Sequence, residues 1–417
     1  MMRFSGRSAN GTITPPPSKS HTHRAFFLSA LSSKECKVSN ALDSQDTRAT
    51  LNAVRAIGAA VENDGGTIRI GNNGLHAPEG TVDAENSGTT MRLFAGIASM
   101  FNSPVTITGD VSLRSRPMGP LLDALSEMNV KCSSHEGKAP VTICGPNNGG
   151  KVRIRGDVSS QFISSLMIAA PMLDRDTAIH IEGDLSSRPY VDITADMMNR
   201  FGARADFNEG RISVRGGTGY KGCDITVPSD MSSAAFPLVV GALGGCVTAR
   251  NMDLKDPQGD KRIIDILNDA GANVVIKKDE VTCSSGPLRA LDVNMNDIPD
   301  LFPITAVLLS TAKGKSTLYG APQLRFKESD RIKATVDMIS SLGGNITETD
   351  DGCIIRGVER LKGGTIEHHE DHRILMAAAV ASLVCDHEVS MKESNCYEIS
   401  YPSFLDHMRL LGLSAEV

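Results

Sequence analysis

The 417-residue sequence predicts an α/β protein built from six copies of one β-α-β-α-β-β unit, and three observations carry that expectation. First, a short polar cluster followed by an apolar, helix-like run recurs at 18–31, 86–100, 159–172, 232–243, 300–311 and 371–383, a spacing of about 70 residues. Second, each is followed by an amphipathic segment, at 47–57, 117–128, 190–201, 261–270, 330–342 and 402–411. Third, short β-branched runs fill the remainder, with hairpin signals at Asp64-Gly65, Glu209-Gly210 and Asp351-Gly352.

Taken in order, the chain opens with a strand candidate at 11–14. Pro15-Pro16-Pro17 follows and cannot lie inside a helix, so Ser18-Lys19-Ser20 falls at a helix N-terminus. The second helices mostly run out at Gly, as in Ile57-Gly58 and Leu342-Gly343-Gly344. Three units are complete near Val227-Pro228-Ser229. The expected division is therefore one domain over 18–227 and a discontinuous one over 1–17 and 228–417, each of three repeats. No long linker marks either crossing, so the hinges are expected to be short and paired.

Composition narrows the function. Lys and Arg number 43 against 49 Asp and Glu, a net charge of −6, which excludes a surface that grips nucleic acid as a whole. With 4% aromatic residues and no Trp, the cores are expected to be aliphatic. Nine cysteines without a Cys-x-x-Cys pair read as a reduced chain without structural zinc. Residues 1–11 are polar and no apolar run reaches about 18 residues, so a cytoplasmic protein that makes no membrane contact is expected.

Cations stand where helix dipoles disfavour them. Lys19 and Arg24 accompany the first helix, Arg92 follows Asn86-Ser87-Gly88-Thr89-Thr90-Met91, Arg116 precedes Pro117, and Arg331 and Arg373 close Lys327-Glu328-Ser329-Asp330-Arg331 and Asp371-His372-Arg373. For any single one a solvated surface charge is the usual fate. Their repeated placement at helix starts instead describes a pocket for phosphates and carboxylates. Ser159-Ser160-Gln161 and Ser187 add hydroxyls and an amide at two further helix starts, where capping alone is the simpler role. Asp300 and Glu328 supply carboxylates able to move protons. Lys327 and Arg331, four apart, are expected on one helix face with Glu328 turned off it.

Three motifs fail. Lys313-Gly314-Lys315-Ser316-Thr317 lacks the earlier Gly of a P-loop, since Leu309 stands there. His368 and His372 have metal-ligand spacing but not His-Glu-x-x-His. Gly216-Gly217-Thr218-Gly219 lacks the dinucleotide-binding spacing.

Seven motifs in order then carry a resemblance. They are Ser18-Lys19-Ser20 with Arg24, Asn86-x-Gly88-Thr89-x-Met91-Arg92, Arg116-Pro117, Gly156-Asp157-x-Ser159-Ser160-Gln161-Phe162, Ile298-Pro299-Asp300, Lys327 to Arg331, and Asp371-His372-Arg373. Across nearly its full length the chain resembles the enolpyruvyl transferases. The resemblance implies two similar domains, each of three repeats around a pseudo-threefold axis as an inside-out α/β barrel, facing each other across a cleft that closes on substrate. It implies a monomer that transfers the enolpyruvyl group of phosphoenolpyruvate to the 5-hydroxyl of shikimate 3-phosphate, with glyphosate as an inhibitor and neither a metal nor an organic cofactor.

Carried over by position, the resemblance assigns shikimate 3-phosphate to Lys19, Ser20, Arg24, Ser159, Ser160, Gln161, Ser187, Asp300, Gln323 and Lys327. It assigns phosphoenolpyruvate to Lys19, Gly88, Arg116, Gln161, Arg331 and Arg373. Asp300 is the implied proton acceptor, and Glu328 and Lys19 are candidates for protonating the methylene carbon. Lys19 would sit near a hinge, where closure brings it toward Arg331 and Arg373. Mutual repulsion among the gathered cations would favour an open state until ligands arrive.

Two departures stand out: Ile399 where some members carry lysine, with Lys392 a distant substitute, and Gln323 where some carry Asn. The alternatives are the sister enzyme acting on UDP-N-acetylglucosamine, a non-catalytic anion-binding relative, and an RNA-end-processing enzyme on a related fold. The sister enzyme needs a cysteine at the position of Val111, and 109–115 contains none.

Overall fold

A computed structural model describes residues 1–417, and the chain divides into two compact units, Met1–Pro16 with Pro228–Val417 and Pro17–Val227. Each unit contains three four-stranded sheets of one pairing pattern: two parallel strands, then two antiparallel ones, and where the four strands are consecutive in sequence the fourth lies inside the third. The strands Gly150–Arg155, Thr177–Glu182, Arg211–Val214 and Ala205–Asn208 show the pattern in full. A helix must link the two parallel strands, because a tight turn cannot, and the second helix carries the chain on to the final hairpin. This is the expected α/β repeat.

Three sheets are closed by distant sequence. In the second unit Ile225–Thr226 pairs parallel with Cys36–Ser39, supplying the strand that the start of that unit lacks. In the first unit Met2–Ser5 lies between Val389–Met391 and Ser414–Glu416, and Ala9–Ile13 pairs with Gly245–Ala249. The strand expected at 11–14 thus begins two residues earlier and ends one earlier, while Met2–Ser5 was not anticipated. Its alternation, Met2 and Phe4 buried against exposed Arg3 and Ser5, is too short to read without its partners.

All twelve expected helices form, and the two series differ as their sequences require. The first helix of each repeat is buried nearly all round: Lys19–Ala30, Gly88–Ala98 and Ser160–Ala169 in one unit, Met231–Gly244, Phe302–Leu309 and His372–Ala381 in the other. Such helices belong in a core, and they pack against one another, with Phe27 and Phe94 stacked at 6.2 Å. The second helices, such as Gln45–Ala56 and Ile263–Ala270, bury one face only. Each fully buried Leu, Ile or Phe here is worth about 1.5–3 kcal/mol relative to exposure.

Local readings need correction. The third hairpin turns at Asp350-Asp351, with Thr349 opposite Gly352, because Gly352 is a strand residue pressed against the Leu318 carbonyl where no Cβ fits. A short helix, Val111–Ser115, precedes Arg116, and the following helix starts only at Gly119. Arg116 therefore ends one helix and does not begin the next. No helix is long and apolar enough to cross a membrane.

Two core helices approach closely at Gly96, whose amide donates to Ser165 Oγ at 2.9 Å and where an added Cβ would overlap the Ser165 carbonyl. Gly96→Ala is expected to destabilise the second unit by about 1–3 kcal/mol, or more if the helices cannot separate. Urea unfolding measures this, and an unchanged midpoint would contradict the packing described.

Candidate active site

In the second unit the candidate residues gather at the N-termini of the three core helices. Ser18 caps Lys19–Ala30 by accepting from the His21 amide, so Lys19 is the first helical residue. Its ammonium pairs with Asp46 Oδ2 at 3.0 Å, a partner contributed by the first turn of Gln45–Ala56. The Asp46 carbonyl in turn accepts from Thr90 Oγ1 at 3.3 Å, which ties this pair to the start of Gly88–Ala98. His23 Nδ1 lies 2.6 Å from Thr50 Oγ1, and Thr50 Oγ1 lies 2.6 Å from Thr90 Oγ1. Burial, then the charges of Lys19 and Arg24, push His23 well below the ordinary histidine range, so it is neutral.

Gly88, Thr89, Arg116 and Gln161 converge. Gln161 Nε2 donates to Thr89 Oγ1 at 2.9 Å, and Gln161 Oε1 accepts from Arg92 Nη1 at 2.9 Å. Arg92 also lies over the Phe162 ring, 5.3 Å from its centroid. Arg116 Nη2 donates to Asn86 Oδ1 at 3.1 Å, and a Cβ at Gly88 would lie 3.1 Å from Arg116 Nη1. Lack of a side chain at Gly88 is thus what lets Arg116 approach the helix start.

Arg24 is different. It is 1% exposed, and its fork donates only to neutral acceptors: Thr194 Oγ1 at 2.8 Å, the Ser20 carbonyl at 2.9 Å, the Tyr190 carbonyl at 3.0 Å and Ser164 Oγ at 3.4 Å. Burial lowers it to about 10, which leaves a charged guanidinium at neutral pH. These bonds bring Ser20 and the helix Arg188–Arg200 together. Ser187, before that helix, is left-handed (φ 57°) and makes no capping bond, unlike Ser159, which caps Ser160–Ala169 through the Gln161 amide. Ser160 is buried at the first position of that helix.

In the first unit the site is a network of three cations and three carboxylates. Arg331 is 1% exposed, with Nε and Nη2 on Asp371 at 2.9 and 3.2 Å, Nη1 on Asp300 Oδ1 at 2.9 Å, and Nη2 also on Glu328. Arg373 Nη2 reaches Asp300 Oδ2 at 3.1 Å, and Lys327 Nζ lies 3.8 Å from Asp300 Oδ1. Burial alone would raise the Asp300 carboxyl, but Arg373, Lys327 and Arg331 outweigh it and hold it far below the ordinary range. Burial would likewise weaken Arg331's hold on its proton, and Asp371, Glu328 and Asp300 more than reverse that. Gln323 Nε2 donates to the Asn296 carbonyl at 3.1 Å, while its buried Oε1 has no hydrogen-bond partner.

This network corrects three expectations. Lys327 and Arg331 do not share a helix face, because Asp330 caps Arg331–Ser341 through the Lys333 amide and leaves Lys327 and Glu328 in the preceding segment. Glu328 is not turned away from Arg331 but bonded to it. Nor do these cations await ligands with their repulsion unrelieved, since three carboxylates already balance Lys327, Arg331 and Arg373. Asp300 itself lies in the one-turn segment Pro299–Leu301, just before Phe302–Leu309.

Sequence reasoning missed Asp46 and Asp371, the buried partners of Lys19 and Arg331, and gave Arg92 no role. The acidic first-turn position of Asp46 and the cap position of Asp371 were visible, but their partners were not. Ile399 is buried in the short turn Cys396–Ile399, so no charge stands at that position. His368, Glu370 and Cys396 lie within 4.8 Å of one another. They make a poor metal site: His368 Nδ1 accepts from the Glu370 amide at 3.1 Å, His368 Nε2 faces the Lys392 carbonyl at 3.2 Å, and burial pushes the Cys396 thiol up to about 12.

A family model described as EPSP synthase (3-phosphoshikimate 1-carboxyvinyltransferase) matches residues 5–408. A 3-phosphoshikimate 1-carboxyvinyltransferase of Methanocorpusculum labreanum is 48% identical over 406 residues, 97% of this chain and 96% of that protein. One from Methanocaldococcus jannaschii is 39% identical over 417 residues, 98% of this chain and 97% of that protein. Among solved structures, an EPSP synthase of Acinetobacter baumannii superposes with a TM-score of 0.84 at 28% identity, covering 100% of this chain and 99% of that one.

The Arg331–Asp371 pair is fully buried, so removing the Asp371 charge leaves three cations to two carboxylates in the buried network. Asp371→Asn is expected to cost about 3–5 kcal/mol of stability, whereas breaking the exposed Arg204–Asp206 pair is expected to cost less than about 1 kcal/mol. Urea unfolding of the two variants checks the contrast, which equal losses would contradict.

Proposed function

The chain belongs to the EPSP synthase family, and on that premise we propose that it transfers the enolpyruvyl group of phosphoenolpyruvate to the 5-hydroxyl of shikimate 3-phosphate, releasing phosphate. The observation that carries this reading is the Asp300 carboxylate bonded to Arg331 and Arg373 and faced by Lys327. A base for a hydroxyl proton is here surrounded by the cations that two anionic substrates need.

In the free protein those cations hold Asp300 ionised and make it a weak base. Phosphates and carboxylates arriving at Arg373 and Lys327 take up that positive charge and raise the proton affinity of Asp300. The hydroxyl proton then passes to Asp300 as the 5-oxygen bonds to C2 of phosphoenolpyruvate, and C3 takes a proton from Lys19 or Glu328. The tetrahedral adduct collapses as the group that protonated C3 takes a C3 proton back and the C2–O bond to phosphate breaks, which leaves the enol ether of the product and free phosphate. Exclusion of water strengthens each of these interactions.

The ligand assignments follow the family positions. Shikimate 3-phosphate is taken by Lys19, Ser20, Arg24, Ser159, Ser160, Gln161, Ser187, Asp300, Gln323 and Lys327. Arg24, with its fork spent on Ser20, Ser164, Tyr190 and Thr194, contributes charge and fixes the Ser20 segment. Phosphoenolpyruvate is taken by Lys19, Gly88, Arg116, Gln161, Arg331 and Arg373. The two units act as the two domains of a cytoplasmic monomer that needs no metal or organic cofactor.

Phosphate release from the purified protein with both substrates, and none with UDP-N-acetylglucosamine as acceptor, is the expected result; the reverse preference would assign it to the sister activity. Lys19→Met and Asp300→Ala are each expected to lower kcat by about two orders of magnitude or more with the fold retained. Near wild-type turnover would remove that residue from the mechanism. Glyphosate is expected to inhibit in competition with phosphoenolpyruvate. Gly88→Ala, by crowding Arg116, should raise both the KM for phosphoenolpyruvate and the glyphosate concentration needed, and steady-state kinetics showing neither change would refute Gly88's role.

A further inference from the structure

A second buried carboxyl stands beside the Asp300 network and has no part in the scheme above. Asp260 lies in the one-turn segment Gly259–Arg262 and is 3% exposed. Its Oδ2 accepts from the Ser232 hydroxyl on the first turn of Met231–Gly244, while Oδ1 is buried without a hydrogen-bond partner. The loop that carries it is braced against that helix. Gln258 accepts from the Met231 amide at 2.9 Å and donates to the Ser229 carbonyl at 3.0 Å.

The charged groups acting on Asp260 come from three other elements. They are Asp300 from Pro299–Leu301, Arg373 from His372–Ala381, and Asp230 from the cap of Met231–Gly244. On its own element, Lys261 spends its ammonium on the Leu254 and Asp256 carbonyls at 3.1 and 2.7 Å. Burial, then the Asp300 charge, raises the Asp260 carboxyl to about 7; Ser232 and Arg373 pull against that rise and Asp230 adds to it. Arg373, the one cation in this set, already bonds to Asp300. A buried carboxylate with one oxygen unsatisfied is costly to ionise, and more so beside another.

We propose that Asp260 is a positioning residue for the reaction, neutral while Asp300 is ionised, and that its ionisation sets a second negative charge beside Arg373 that competes with phosphoenolpyruvate for that guanidinium. The proposal rests on the assignments of Asp300 and Arg373 made above. No proton of the reaction passes through Asp260. On ionisation its proton goes to solvent, and the added charge makes Asp300 a stronger base.

The test is the pH profile of KM for phosphoenolpyruvate and of kcat. In the wild type KM is expected to rise about tenfold or more as pH passes through the ionisation of Asp260, the factor that one pKa unit of interaction represents, while kcat holds or rises. Asp260→Asn should flatten the KM rise. Ser232→Ala removes the bond that favours the ionised form and should move the rise to higher pH. An unaltered rise in Asp260→Asn, or no upward move in Ser232→Ala, overturns the proposal.

A second readout needs no turnover. Between the unfolded value of about 3.9 and the raised folded value, the folded protein holds a proton that the unfolded chain has lost. Wild-type stability therefore falls as pH rises through that window, and this contribution is missing in Asp260→Asn. The variant should gain on the wild type in urea unfolding between about pH 4 and about pH 7, and a constant difference across that range overturns the proposal. If the wild type releases no phosphate at any pH, the functional reading fails, and the unfolding comparison still decides the state of Asp260.

Discussion

Placing several cations in a mostly buried site is the constraint on which the rest depends. Like charges in a low-dielectric region repel strongly, so a folded protein can hold Lys327, Arg331 and Arg373 together only by burying carboxylates among them. Asp371 does this for Arg331 from the cap of a neighbouring helix, and Glu328 and Asp300 complete the balance. Asp300 is thus a structural counter-ion in the free protein, and the proposed mechanism asks the same carboxylate to act as a base.

The fold supplies the positions. In each unit the first helices of three repeats pack together in the core, so their polar N-terminal clusters must emerge where the buried apolar runs end. That is why Lys19, Gly88 and Gln161, far apart in sequence, are linked through Asp46, Thr89, Thr90 and Arg92 in the second unit. The second unit handles its charge differently from the first. Lys19 pairs with the Asp46 carboxylate, Arg116 bonds to the Asn86 amide, and Arg24 bonds to hydroxyls and carbonyls. Arg24 is set among four neutral acceptors, which hold its fork without cancelling its charge.

The helices were legible because twelve apolar or amphipathic runs of sufficient length repeat in one order, and periodicity survives without knowledge of tertiary partners. Met2–Ser5 was not, since a four-residue edge-to-edge insertion becomes a strand only through residues 389–391 and 414–416. The cations of the site were legible as charges placed against helix dipoles. Their counter-ions were not, because the pairs Lys19–Asp46, Arg331–Asp371 and Arg373–Asp300 are separated by 27, 40 and 73 residues. The helix-face reading of Lys327 and Arg331 failed because Asp330, a strong N-cap, starts the helix one residue before Arg331 and leaves Lys327 outside it.

The measurement closest to the central claim is the titration of the Asp300 carboxyl itself, followed by carbon NMR in the free protein and again with shikimate 3-phosphate and phosphoenolpyruvate bound. In the free protein it should stay ionised down to the lowest pH at which the fold survives, and ligand binding should raise it. An ordinary carboxylate value in the free protein, or a value that does not move when the ligands bind, would contradict the account.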